Sequence, residues 1–142
     1  MSEGGARLAV LAGGGLGSLG RWWIDGSLPA AGPGWGWATL TVNVTGALAM
    51  GMLVAWLSAR VAHPLARPFA AVGLLGGWTT YSTFALDAHS VIGADGVVPA
   101  LGYVITTLVL GVGASLTGLL VGERWFDVRP EMAEHLIDEE EL

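Results

Sequence analysis

The sequence predicts an all-α integral membrane protein with four transmembrane helices, the third of them broken, and three observations predict it. The 142 residues are 53% hydrophobic and only 13% charged. A soluble domain carries roughly a quarter charged residues, so this chain lacks the side chains to cover itself for water. Four apolar segments are each of the length that a helix needs to cross the hydrocarbon, about 20 residues. Six of the seven tryptophans fall near the ends of those segments, the depth at which amphipathic indoles settle.

The spans are expected over about residues 7–24, 35–59, 68–92 and 99–122, within one domain of residues 1–126 followed by an acidic tail over 127–142. The first is glycine-rich, interrupted only by Arg21, and closed by Trp22 and Trp23. A cleaved signal peptide describes it poorly, because Glu3 stands at its start and no small-x-small cleavage site follows. The second lies in a charge-free run from Gly26 to Ala59, with its helix starting near Trp35 after a loop holding Pro29 and Pro33. The third starts at Pro68 and carries Asp87 and His89 near its outer end, where solvation explains both. The fourth lies in a charge-free run from Gly96 to Gly122 and is helical from Pro99.

Charge is unevenly spread. Eight of the twelve acids lie from Glu123 onward, whereas residues 1–122 hold four acids and four arginines. The net charge of −6 therefore describes the tail, whose Glu139-Glu140-Glu141 run reads as a solvated end. No basic face exists for nucleic acid, and the absence of cysteine removes disulfides and thiol chemistry. With four spans, both termini and the loop between the second and third share one side. That side holds Arg7, Arg60, Arg67, Arg124 and Arg129, and the other holds Arg21 alone. The bias places the termini in the cytoplasm of a multi-pass protein of the cell membrane.

Small residues four apart mark packing faces: Gly13 with Gly17, Ala47 with Gly51, Gly111 with Ser115, Gly118 with Gly122. Such faces let backbones approach closely in lipid. Four short helices enclose little interior, so a polar pathway forms more easily between subunits than within one.

The stretch Gly76-Gly77-Trp78-Thr79-Thr80-Tyr81-Ser82-Thr83-Phe84 is a poor recipe for a continuous helix. Glycine loosens the backbone, and Ser and Thr offer it competing hydrogen bonds. We expect a break at Gly76–Thr80, tolerated at membrane depth only where the freed groups face protein, an ion or a water-filled cavity. The other polar residues inside the spans are Asn43, Tyr103, Thr107 and Ser115, the last three sharing one helix face. Asn43 suits either a helix–helix hydrogen bond or donation to an anion. The hydroxyls suit inter-helix bonding equally well. No Asp, Glu or Lys sits at mid-membrane, which speaks against a proton relay. Uncharged donors suit an anion that must shed water yet leave quickly, and aromatic edges can join them. Unwound carbonyls offer the converse, oxygen ligands for a small cation. Arg21 either draws anions into a vestibule or snorkels to the interface. Enzymatic readings fail for want of paired carboxylates, a nucleophile–His–acid set or metal-spaced histidines.

The chain resembles the CrcB/Fluc fluoride channels over about residues 7–122. Three motifs carry the resemblance: Gly13-Gly14-Gly15-Leu16-Gly17-Ser18-Leu19-Gly20-Arg21-Trp22, Asn43-Val44-Thr45-Gly46, and the Gly76 to Phe84 stretch. It implies a passive fluoride channel without an organic cofactor, built as an antiparallel dimer with two pores at the subunit interface. Asn43 would then donate to fluoride, and Tyr81 and Phe84 would present ring edges to it. Ser82 and Thr83 would lie beside that pair, and Tyr103, Thr107 and Ser115 would form a polar track. The carbonyls of Gly76 and Thr79 from both subunits would hold a structural sodium ion. Tyr81 departs from the phenylalanine common in the family. The five-to-one arginine bias favours an inverted homologous subunit over self-pairing. The competing readings are a small dual-topology exporter, which wants a glutamate in the first span that Leu8–Leu19 lacks, and a non-transporting membrane assembly protein.

Overall fold

The computed structural model describes residues 3–28, 34–60 and 62–126. The acidic tail and the Pro29/Pro33 loop lie outside them. The described residues are mostly helical, and no strand occurs among them. Helix α1 spans Glu3–Ser27 and α2 spans Trp37–Ala59. A π-helix, Arg67–Leu75, runs straight into a single turn, α3, Gly76–Trp78. Helix α4, Tyr81–Asp95, and α5, Val97–Phe126, complete the chain.

Local chemistry sets these limits. Pro68 sits in the first turn of the π-helix, where its missing N–H costs no bond. Gly96 ends α4 at φ 93°, a conformation that suits glycine. Its N–H closes the helix onto the carbonyls of Val91 and Ile92, both at 3.1 Å. Helix α5 starts at the next residue, and Pro99 falls in its first turn.

Two helix pairs build the molecule: α2 packs chiefly on α5, and α1 on the π-helix and α3. Both contacts are close because glycines face backbone. A methyl at Gly17 would collide with the Leu74 carbonyl oxygen and stand 2.8 Å from the Trp78 nitrogen. One at Gly13 would collide with the Phe69 carbonyl oxygen, and one at Gly77 would stand 2.5 Å from the Gly14 carbonyl oxygen. Across the other pair, methyls at Gly51 and Gly118 would collide with the carbonyl oxygens of Ser115 and Leu48. Gly111 faces open space, so of the expected Gly111–Ser115 pair only Ser115 is a packing contact within this chain.

The break also differs from the expectation. Gly76 and Gly77 are helical, and the interruption is confined to Thr79 and Thr80, at φ −80°, ψ 160° and φ −148°, ψ 125°. Gly77 belongs to the packing of α3 against α1, and the hydroxyl residues that follow make the break.

Few large side chains are buried. Tyr103, Val42 and Val91 are enclosed, whereas Leu8, Leu11, Leu19, Val98, Leu108, Val112 and Leu120 are exposed. Exposed apolar surface on this scale marks a membrane or partner contact. Helices α2 and α5 are long and apolar enough to cross a membrane, with mean hydropathy 1.7 and 2.1 over their most apolar windows. Helix α1 is diluted by glycine, Glu3, Arg7, Arg21 and Asp25. The third stretch is divided into pieces of 9, 3 and 15 residues.

Candidate functional site

The break builds the site. Thr79 N–H still reaches the Leu75 carbonyl at 3.0 Å, but Thr80 N–H turns away and donates to Asn43 Oδ1 at 2.8 Å. Asn43 Nδ2 donates back to the Thr80 carbonyl at 2.9 Å. One side-chain amide thus satisfies both backbone groups of a buried residue, as an adjacent strand would. Thr80 then starts α4: its Oγ1 accepts from Thr83 N–H at 3.2 Å, an N-cap of the usual hydroxyl kind. The same hydroxyl donates to Thr83 Oγ1 at 3.1 Å and lies 3.3 Å from Ser82 Oγ.

Two long side chains brace the turn. Arg21 Nη1 donates to the Thr79 carbonyl at 3.3 Å. Trp78 Nε1 donates to Thr45 Oγ1 at 3.0 Å. The indole has no room to spare: a methyl at Gly20 would stand 2.6 Å from its ring, and one at Gly46 3.1 Å.

A groove of about 510 Å³ opens beside the break, lined by Asn43, Thr79, Thr80, Tyr81, Phe84, Thr107 and Ser115, with Gly76, Ala47 and Met50 on its apolar side. Tyr81 and Phe84 have ring centroids 6.1 Å apart, and Phe84 and Tyr103 5.6 Å. Both pairs are tilted, so each ring offers edge as well as face. Tyr81 is 81% exposed.

The expected site residues divide accordingly. Asn43, Tyr81, Phe84, Thr107 and Ser115 share the groove with Gly76 and Thr79. Ser82 and Thr83 lie on the first turn of α4, bound up with the Thr80 cap, and do not line it. Tyr103 stands behind Phe84, fully buried, with its hydroxyl donating to Asp87 Oδ2 at 3.3 Å. The Thr107 hydroxyl is bonded back to the Tyr103 carbonyl at 2.8 Å. Arg21 is turned onto the break. Thr80, which joins Asn43 to α4, is the residue that sequence reasoning missed as a site member; a threonine is a favoured N-cap residue, and that is the signal that marks it.

Gly76 and Thr79 are among the residues at the break whose carbonyls have lost their helical donors. Thr80 N–H, which would serve Gly76 in a continuing helix, goes to Asn43. Thr83 N–H, which would serve Thr79, goes to Thr80 Oγ1. Both residues line the groove, and such oxygens suit a hard cation. No cluster of three His, Cys, Asp or Glu side chains that would hold a metal exists among the described residues. The groove therefore brings one amide, several hydroxyl residues and two aromatic rings together with Gly76 and Thr79.

Comparison with known proteins agrees on one family. The family model described as CrcB-like protein, Camphor Resistance (CrcB), matches residues 8–119. Fluoride-specific ion channel FluC 2 of Nocardia farcinica is 43% identical over 122 residues, covering 83% of this chain and 84% of its own. Fluoride-specific ion channel FluC of Paracoccus denitrificans is 43% identical over 119 residues, covering 84% and 95%. That of Rhodospirillum centenum is 44% identical over 122 residues, covering 79% and 90%. These relatives are ion channels of the membrane, not enzymes. On the match over residues 8–119 and identities above 40% across most of each chain, the protein belongs to the CrcB family.

Proposed function

We propose that the protein is one subunit of a fluoride-selective channel that lets fluoride leave the cytoplasm passively and so lowers its toxicity. The observation that carries this reading is the convergence of Asn43, Tyr81, Phe84, Thr107 and Ser115 on one groove, in a chain whose relatives are fluoride-specific ion channels.

Fluoride accepts strong hydrogen bonds, so donors must replace its water, while a fixed cation would trap it. Asn43 spends one amide N–H on Thr80 and keeps the other for the ion. The tilted rings of Tyr81 and Phe84 supply electropositive edges. Ser82, Thr83 and Tyr103 act indirectly, by fixing the cap of α4 and backing Phe84. Ser115 and Thr107 continue the polar wall. Arg21 adds positive potential behind the Thr79 carbonyl without lining the groove.

The groove is open along one side, and an exposed Tyr81 at its edge supports a second subunit as the missing wall. We assign an antiparallel dimer with four spans per subunit and pores along the interface. The arginine bias favours an inverted homologous partner over a second copy. Termini lie in the cytoplasm, in the cell membrane. The Gly76 and Thr79 carbonyls fit a structural sodium ion, since Arg21 occupies only one of the two lone pairs on the Thr79 oxygen. When bound, that ion would supply a fixed charge holding the paired breaks together.

The test is anion release from liposomes holding the purified chain, read with a fluoride electrode and a chloride control. Fluoride release without chloride release supports a self-paired channel. Silence alone but release with an inverted homologue supports the two-chain channel. Silence in both sinks the channel reading and leaves the assembly protein.

A further inference from the structure

A second cavity, of about 450 Å³, lies between the C-terminal half of α2 and the start of the π-helix. Its inner wall is apolar, with Met50, Leu53 and Leu57 prominent, and its rim is Arg60, His63 and Arg67. His63 Nδ1 accepts from Leu65 N–H at 3.2 Å, which leaves Nε2 as the N–H donor of the neutral ring. Among the described residues neither Arg60 nor Arg67 has a hydrogen bond or an ion pair, and no carboxylate lines the cavity. Among the described residues the rim is therefore three donors, two of them positively charged and facing no carboxylate of the cavity wall, above an apolar trough. Fluoride has no use for the apolar trough.

We propose that this cavity binds an anionic phospholipid, with the phosphate on Arg60, Arg67 and His63 and an acyl chain along Met50, Leu53 and Leu57. Basic pockets between membrane helices on the cytoplasmic side hold such headgroups, and the arginine bias puts this loop on that side. The assignment rests on the membrane-channel reading above for orientation, but not on fluoride as the cargo. It also gives Arg60 and Arg67 a role that simple snorkelling does not: snorkelling is indifferent to the lipid, whereas this site selects charge.

The experiment is native mass spectrometry of the full chain in detergent with equimolar phosphatidylglycerol and phosphatidylcholine. The wild type retains phosphatidylglycerol preferentially. Removing one arginine should weaken that retention about fivefold, and the double variant R60Q/R67Q about 25-fold. R124Q, which removes an arginine of the same side at the end of α5, should leave it unchanged. Equal retention in the double variant, or an equal loss in R124Q, overturns the site. Inorganic phosphate is the second arm. If it displaces phosphatidylglycerol at millimolar concentration, a free anion is the ligand and the lipid assignment fails. Fluoride release from liposomes, run on the same preparations, reports separately on the channel reading, because R60Q/R67Q leaves the groove residues intact.

Discussion

Replacing Asn43 with alanine should destabilise the protein, whatever it does to ion flow. The side chain makes two hydrogen bonds of 2.8 and 2.9 Å to the N–H and carbonyl of Thr80. Thr80 is only 8% exposed, so no helix, strand or bulk water stands ready to replace them. A buried polar group left without its partner costs about 1–3 kcal/mol, and two are orphaned together. The groove admits water to the half-buried Asn43 position, which places the sum at the low end, about 2 kcal/mol. Unfolding of the detergent-solubilised protein, followed by tryptophan fluorescence, reads the change. A stability within about 0.5 kcal/mol of wild type, the range of a neutral surface substitution, would refute the reasoning. Asn43 would then be a donor to the ion alone, and the backbone at the break would be satisfied by something else.

Three further outcomes follow from the packing. Gly17→Ala drives a methyl into the Leu74 carbonyl and should cost about 1–3 kcal/mol, seen as a lowered melting temperature. Gly111→Ala meets open space and should be neutral or stabilising by up to about 1 kcal/mol in the same assay. Trp78→Phe removes the 3.0 Å bond to Thr45 and part of the indole packed at Gly20, for a loss of about 2–4 kcal/mol.

Much of this was legible before any coordinates. The all-helical fold followed from long apolar runs with few charges, because a helix in lipid tolerates few ions. The small-residue faces of Gly13 and Gly17, and of Gly118 and Gly122, were legible for the same reason, since close approach demands a missing side chain. The break was drawn too wide at its N-terminal end because glycine has two uses. At Gly77 it admits the Gly14 carbonyl, a reason that depends on a partner helix distant in sequence. The two hydroxyl residues after it carry the interruption. Asn43 was readable as a buried amide, but its partner, Thr80, lies 37 residues away, and nothing local points there. Arg21 was hidden in the same way: its bond to Thr79 spans 58 residues. The π-helical geometry of Arg67–Leu75 has no periodicity that distinguishes it from an apolar α-helix.

The central claim is that fluoride passes along the groove beside Asn43, and Asn43→Asp tests it most directly. Aspartate keeps an oxygen for Thr80 N–H but replaces the donating amide with a negative charge. Two like charges about 4 Å apart repel by roughly 4 kcal/mol at a near-surface dielectric, or about a thousandfold in rate. The measurement is fluoride release from liposomes by the assembled channel, wild type against Asn43→Asp, with gel filtration showing that both are folded. The account predicts rapid, chloride-free release by the wild type and release near background by the variant. Equal fluoride release by the two would contradict it, because an anion moving past Asn43 must feel that charge.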